Sequence, residues 1–189
     1  MELKINSPQY SFSDNGKFYF NISVNDRVDK IIYYDNENKY LGKQTLCKNC
    51  NEFGLSKKRI KTFSNGIHDI TIEAIKDFKS VKEKIFFIVD RKSPKILELK
   101  DFNGTFYLKY SEDFPKQISI YYDDFILGTN DCAYDHDKLK QKCLINIDLR
   151  NFENKTINYS IEIEDVANNK NEFSDQITID TTPPEIKKR

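Results

Sequence analysis

Apolar and polar residues alternate in short runs along most of this chain. In the segment KFYFNISV, residues 17–24, every second residue is apolar, and GIHDITIEA, residues 66–74, shows a similar alternation. A period of two is that of a β-strand with one buried face, so both segments are predicted strands. Further strands are predicted over residues 3–8, 28–34, 59–63, 82–89, 143–149, 156–165 and 173–179.

The alternation also predicts which side chains face a core. In residues 28–34, Ile32 and Tyr34 are expected on one side of the strand. Residues 35–58 are mostly polar and, apart from Tyr40 and Leu41, are predicted to form a loop. The residues expected to point inward are His68, Ile70, Ile72, Ala74, Ile85, Phe87, Val89, Ile157, Tyr159, Ile161 and Ile163.

The second half of the chain repeats the first. The stretch FIVDRKSPKI, residues 87–96, returns as ITIDTTPPEI, residues 177–186, and IYYD occurs at residues 32–35 and again at 120–123. Ordered self-similarity of this kind marks tandem modules. We therefore expect one domain over residues 1–92 and a second over 93–182. Residues 183–189 are expected to begin a third repeat or a tail.

Short strands separated by turn signals, with no convincing amphipathic helix, favour an all-β fold. The predicted architecture is two tandem β-sandwiches of about seven strands each. Pro94 and Pro184 fix the backbone at the two joins and push the preceding residue towards extended geometry, which is typical of a semi-rigid rod.

Composition and charge narrow the class of protein. The chain is 38% hydrophobic and 13% aromatic, which suffices for packed cores. Its 30 basic and 30 acidic residues give no net charge, so a nucleic-acid partner is not expected. No apolar run of membrane-spanning length is present, and the first residues do not resemble a secretory leader. Because the last residues resemble the start of a new repeat, we expect this chain to be a piece of a longer protein.

Several motifs resemble prokaryotic immunoglobulin-like repeats. GIHDITIEA followed by Asp77 is similar to their penultimate strand, NYSIEIEDVANNK (residues 158–170) looks like the same strand and its turn, and IDTTPPEI looks like the join between repeats. The chain departs from the pattern at Lys76, at Asn168, which replaces a turn glycine, and at Arg91 and its neighbour Lys92. These departures concern the turns more than the fold.

The resemblance implies that the two tandem β-sandwiches are immunoglobulin-like and that the chain is a module of a multidomain cell-surface or secreted protein. Such repeats occur in envelope and S-layer proteins, in adhesins and as spacers of exoenzymes. The implied location is extracellular, and the implied partners are neighbouring repeats of the same polypeptide, together with other surface proteins or glycans.

The four cysteines fall two in each predicted module. An even count divided in this way suggests one disulfide inside each, Cys47–Cys50 and Cys132–Cys143, because the other two pairings would cross between domains. A zinc site, a thioredoxin-like redox pair and free buried thiols are the alternatives. Zinc needs four converging ligands, and the redox pair needs a βαβ setting.

Four N-x-Ser/Thr sequons are candidate glycosylation sites. Asn21 and Asn158 fall on the polar phase of their strands, and Asn103 and Asn154 fall in predicted turns. All four are therefore expected to face solvent, as glycan acceptors must.

The remaining residues that could take part in catalysis or metal binding are expected to have structural roles. His68 begins the buried phase of a strand and is expected to be structural rather than catalytic. His136 lies among acidic residues in the loop over residues 131–137, which is read as solvated, with a calcium site as the alternative. The adjacent Asp123 and Asp124 would point to opposite faces of a strand. We expect no enzymatic activity, no cofactor and no metal.

The favoured hypothesis is a structural or interaction module, part of the stalk or lattice of a surface protein. One alternative is an adhesion module that binds glycan or protein through exposed aromatic residues, with Tyr33, Tyr121 and Tyr134 as candidates. The other is an accessory domain of a secreted hydrolase.

Overall fold

The chain divides into two units in a computed structural model, Met1–Arg91 and Lys92–Arg189. The structure describes residues 1–8, 10–102, 104–129, 133–134 and 141–180. Each unit has a hydrophobic core of its own. Among the described residues, the only helical elements are two short 3₁₀ turns, Lys39–Leu41 and Arg150–Phe152.

The described residues of the first unit form eight strands. They are β1 (Leu3–Ile5), β2 (Tyr10–Ser13), β3 (Lys17–Phe20), β4 (Ile22–Asp35), β5 (Gln44–Phe53), β6 (Arg59–Thr62), β7 (Gly66–Lys76) and β8 (Lys79–Val89).

Two sheets enclose the core of the first unit. The larger one runs β1-β4-β7-β8-β2, with β5 also paired to β4, and the smaller one is the pair β3-β6. All the pairings are antiparallel except that of β2 with β8, which is parallel. Phe18 on β3 stacks on Phe87 of β8 with ring centroids 4.5 Å apart, so side chains of both sheets meet in one core.

Strand β4 is longer than the sequence predicts. Its first residues pair with β1, and residues 30–35 pair with β7. The pairing with β5 includes Ile22 and Ser23 and resumes at Val28, with a register shift between Ser23 and Val28 where charged residues interrupt the sequence pattern. The extra residues of such a shift are left unpaired and bend the strand locally.

Strand β5 corrects the prediction of a loop over residues 35–58. It pairs antiparallel with β4, from Ile22↔Phe53 to Tyr33↔Gln44. The sequence pattern missed it because none of its residues is fully buried, so the strand lacks an apolar phase.

Ile32 and Tyr34 share one face of β4, as predicted, because the register of β4 with β7 is uniform from Lys30 to Asp35. The other face packs on the core. Ile31 belongs to the core cluster and Tyr33 packs against it, whereas Ile32 lies outside that cluster. The inward facing predicted for β7 and β8 is confirmed, since each of those side chains is buried.

Eight strands are also found in the described part of the second unit. They are β9 (Lys95–Phe102), β10 (Thr105–Ser111), β11 (Pro115–Tyr122), β12 (Phe125–Thr129), β13 (Ala133–Tyr134), β14 (Gln141–Asn146), β15 (Thr156–Asp165) and β16 (Lys170–Thr178).

These strands form two four-stranded antiparallel sheets, ordered β13-β14-β10-β9 and β12-β11-β15-β16. Phe106 from the first sheet lies against Tyr159 from the second, with ring centroids 4.8 Å apart. The buried isoleucines of β11 and β15 complete the core between the sheets. The predicted all-β class, with immunoglobulin-like β-sandwiches, is confirmed.

Candidate functional site

A polar groove lies on the second unit, on strands β11, β15 and β16. Its volume is about 650 Å³, and we name it the Tyr121 groove. Ligand-binding clefts are typically about 300–1,000 Å³, so the groove is large enough for a small ligand. Its lining includes Tyr121, Asp123, Asp124, Asn158, Ser160, Ser174, Asp175 and Gln176.

Strand register places the floor of the groove. Tyr121 on β11 is opposite Ser160 on β15, and Ser160 is opposite Ser174 on β16. Residues that are directly opposite share one face of a sheet, so the three side chains form a row across three strands. Asn158 and Gln176 form the next pair on this face, two positions along each strand. The small serines keep the floor low between larger side chains.

The hairpin between β11 and β12 supplies one acidic end of the groove. Tyr122 pairs with Phe125, so Asp123 and Asp124 form a two-residue turn, and Asp123 has φ 48°. Positive φ suits this hairpin turn, and Asp tolerates it better than most residues. Both side chains line the same groove. The prediction that they point to opposite faces is wrong because it assumed a strand at this position.

A hydrogen bond from the side chain of Gln176 orients the side-chain amide of Asn158 in the groove. Gln176 Nε2 donates to Asn158 Oδ1 at 2.9 Å.

Tyr159 also lines the groove. Burial raises the pKa of its hydroxyl, and the negative charges of Asp175 and Asp101 raise that pKa further. Tyr159 therefore stays a neutral phenol at physiological pH.

The charge of the groove restricts its ligands. Three aspartates line it, and no lysine or arginine is among the described lining residues. An anionic ligand would meet like charge and no cation. Amides, hydroxyls and carboxylates beside an aromatic ring instead suit an uncharged, hydroxyl-rich ligand, because they offer both donors and acceptors.

The sequons differ in exposure. Asn158 on β15 and Asn154 before it are exposed, whereas Asn21, between β3 and β4, is half-buried. Asn6 Nδ2 lies 3.4 Å from Asn21 Oδ1, so a neighbouring side chain already contacts this amide. Asn103 lies outside the described residues.

The cysteines of the first unit lie on β5. Cys47 and Cys50 form a disulfide and are half-buried, and Asn49 between them has φ 49°. The bridge therefore spans an irregular part of the β4–β5 ladder. In the second unit, Cys143 is buried on β14. Its predicted partner Cys132 lies outside the described residues, so that pairing stays a prediction.

His68 is buried in the first unit with a carboxylate. Its Nδ1 lies 2.6 Å from Asp35 Oδ2, and its Nε2 lies 2.9 Å from the Ser64 carbonyl oxygen. The ring also stacks on Phe87, with centroids 5.0 Å apart. The pair is enclosed in packed side chains, which agrees with a structural role.

Tyr33, Tyr134 and His136 are the other residues that the sequence singled out as candidates. Tyr33 packs on Phe20 with ring centroids 5.5 Å apart, and burial raises the pKa of its hydroxyl, with a smaller contribution from Asp35. It belongs to the core more than to a binding surface. Tyr134 lies on the short strand β13. The acidic loop that contains His136 is outside the described residues.

Sequence reasoning missed most of the groove. Ser174, Asp175 and Gln176 are unremarkable polar residues of an edge strand, and only the pairing of β15 with β16 brings them beside Asn158. Tyr121 and Ser160 were visible as a candidate aromatic residue and as part of a sequon. No sequence signal placed them opposite each other.

Solved structures similar to this chain come from modular proteins. Fibronectin(III)-like modules of Clostridium thermocellum CbhA share 10% identity at a TM-score of 0.45, over 99% of this chain and 100% of that one. A titin immunoglobulin tandem shares 10% at 0.34, over 94% and 95%. Bacteroides ovatus SGBP-B, in complex with a mixed-linkage heptasaccharide, shares 11% at 0.33, over 96% and 48%.

No family model and no curated protein matches the sequence. Within the described ranges, no helix is long and apolar enough to cross a membrane.

Proposed function

We propose that this chain is a non-catalytic pair of immunoglobulin-like modules in a multidomain cell-surface protein, where it acts as a spacer and interaction element. The observation that carries the proposal is that each unit closes its own core between its own sheets. Units of this kind can be joined in series along an extended polypeptide, as the sequence repeat indicates.

The Cys47–Cys50 disulfide supports an oxidising compartment. Structural disulfides persist outside the cell and are rare in reducing cytoplasm. The bridge joins two positions of β5, a strand whose only described pairing is with β4. It would hold the irregular part of that strand in place while the module is under load.

A surface-labelling experiment tests this proposal. Source cells are treated with a membrane-impermeant amine-reactive label, and peptides of this sequence are sought by mass spectrometry in labelled and unlabelled fractions. The proposal predicts labelled peptides from a polypeptide larger than the 22.3 kDa of this chain. Peptides found only in the unlabelled, soluble interior of the cell would contradict it.

The second candidate function is adhesion to a glycan. The Tyr121 groove favours it, because its lining pairs an aromatic ring with neutral amides and hydroxyls. Titration of the whole chain with neutral oligosaccharides, followed by NMR shifts of the Asn158 and Gln176 side-chain amides, tests this function. Shifts confined to groove residues would support it, and a flat titration at millimolar ligand would rule it out.

A further inference from the structure

Asn158 differs from the other described sequons in its surroundings. Asn154 is exposed in a turn with φ 57°, and Asn21 is half-buried against Asn6. Asn158 is exposed and also lines the Tyr121 groove. A cleft therefore lies beside the side chain of this sequon asparagine.

One hydrogen bond holds the amide of Asn158 beside that cleft. Gln176 on β16 donates to its oxygen, and β16 lies on one side of β15. The bond is made to the oxygen, so Gln176 does not occupy the nitrogen Nδ2 that would carry a sugar. The strand on the other side of β15 is β11, which carries Tyr121.

Tyr121 lies within reach of a group attached to Asn158. Tyr121 is opposite Ser160, so it is the diagonal neighbour of Asn158 on the same face of the sheet. Diagonal neighbours are roughly 7–8 Å apart, a distance that one sugar ring can span. The half-buried tyrosine has an electron-rich ring face that attracts the C–H groups of a sugar.

We propose that Asn158 carries an N-linked glycan whose first sugars lie in the Tyr121 groove, over the tyrosine ring and the two serines. This inference rests on the proposed surface location, because the modification occurs on exported chains. Uncharged sugar hydroxyls match the groove, whose titratable lining side chains other than the tyrosines are aspartates.

The modification is a glycosyl transfer from a lipid-linked oligosaccharyl phosphate or diphosphate of the host, catalysed by a host transferase. A bond forms between Asn158 Nδ2 and C1 of the first sugar, and the bond between C1 and the phosphate oxygen breaks. The lipid phosphate leaves with the electron pair of that bond, and the amide proton passes to the transferase base. No oxidant or reductant takes part.

The test uses the whole chain, made in secreting cells that glycosylate N-x-Ser/Thr sequons and, unglycosylated, in bacteria. Glycopeptide mass spectrometry gives the occupancy of Asn158 and Asn154. We expect Asn158 to be occupied and the glycan to raise the melting midpoint of the second unit by roughly 2–4 °C. Asn154→Gln should keep this rise, and Asn158→Gln should lose it.

Tyrosine variants separate contact from mere attachment. Tyr121→Ala should keep occupancy at Asn158 but lose the glycan-dependent rise, whereas Tyr121→Phe, which retains the ring, should keep both. Tyr107→Ala is the matched control, because Tyr107 is a half-buried tyrosine on β10, in the other sheet.

Two results would overturn the proposal. One is the absence of a glycan at Asn158, whatever the occupancy of Asn154. The other is an equal rise in the melting midpoint with and without the Tyr121 ring. Neither result bears on surface labelling of the source cells, so failure here is distinguishable from failure of the proposed function.

Discussion

The pair formed by His68 and Asp35 is the most consequential polar contact inside the first unit. Their side chains are 4% and 1% exposed, and the two ring nitrogens face a carboxylate oxygen and a carbonyl oxygen. Both ring nitrogens therefore have an oxygen atom within hydrogen-bond distance, so neither is left without a polar partner in the core. Buried pairs of this kind are costly to break, because the remaining partner is left without a counterpart.

Asp35→Ala should therefore destabilise the first unit by about 3–5 kcal/mol. The matched control is Asp69→Ala on the same strand as His68. Asp69 pairs with Lys84 at 2.9 Å with side-chain exposures of 25% and 66%, and an exposed pair contributes about 0–1 kcal/mol. Urea unfolding of both variants measures the difference. Equal losses would show that burial of the histidine pair has no special weight.

Asp148 offers a prediction about pH. Side-chain hydrogen bonds from Arg150, at 2.6 Å between Nη2 and Oδ2 and 2.9 Å between Nε and Oδ1, lower the pKa of Asp148 to about 2, and the Arg150 backbone N–H assists. Because the folded pKa is lowered, the pair stabilises the fold above the ordinary carboxyl range. That stabilisation disappears as the pH falls from about 4 to about 2.

Titration of the Asp148 carboxyl carbon by NMR should give a midpoint near 2. Arg150→Ala should move the midpoint up towards the ordinary value, though not fully, because the backbone hydrogen bond at 3.1 Å remains. Lys155→Ala, a charge loss nearby that does not touch Asp148, should leave the midpoint in place. An ordinary midpoint in the unmodified protein would contradict the ion pair.

At the scale of elements, β7 and β15 hold corresponding places. Strand β7 lies between β4 and β8, and β15 lies between β11 and β16. Each presents a row of buried isoleucines to the core of its unit. A strand in this position contacts two neighbours and the opposite sheet, so its inward residues should dominate the stability of the unit.

Ile70→Ala should accordingly cost about 2–5 kcal/mol, as for other buried aliphatic residues. Ile67→Ala on the same strand is the control, because Ile67 is 43% exposed, and its loss should cost well under about 1 kcal/mol. Chemical denaturation of each variant gives the two values. Similar costs would mean that the facing of β7 is wrong.

The same two strands show what the sequence can predict. Strands β7 and β15 were predicted because one buried face imposes a regular period of two. Strands β5 and β12 were not predicted, since β5 has no fully buried residue and β12 exposes Phe125, Ile126 and Leu127. The groove escaped prediction for a related reason. It depends on register between strands, which no local pattern encodes.

At the scale of the whole molecule, the repeat in the sequence corresponds to two units with separate cores. Every side chain of each core cluster belongs to one unit. We therefore predict that either unit can unfold while the other keeps its core. Modules joined in series require this property.

The most direct test of independent unfolding is a single-molecule force experiment that pulls the chain by its two ends. Each unit has about 90 residues, so its unfolding should release roughly 300 Å of extended chain. We expect two separate unfolding steps of about that size. A single step that releases the whole chain, or a smooth extension without steps, would contradict it.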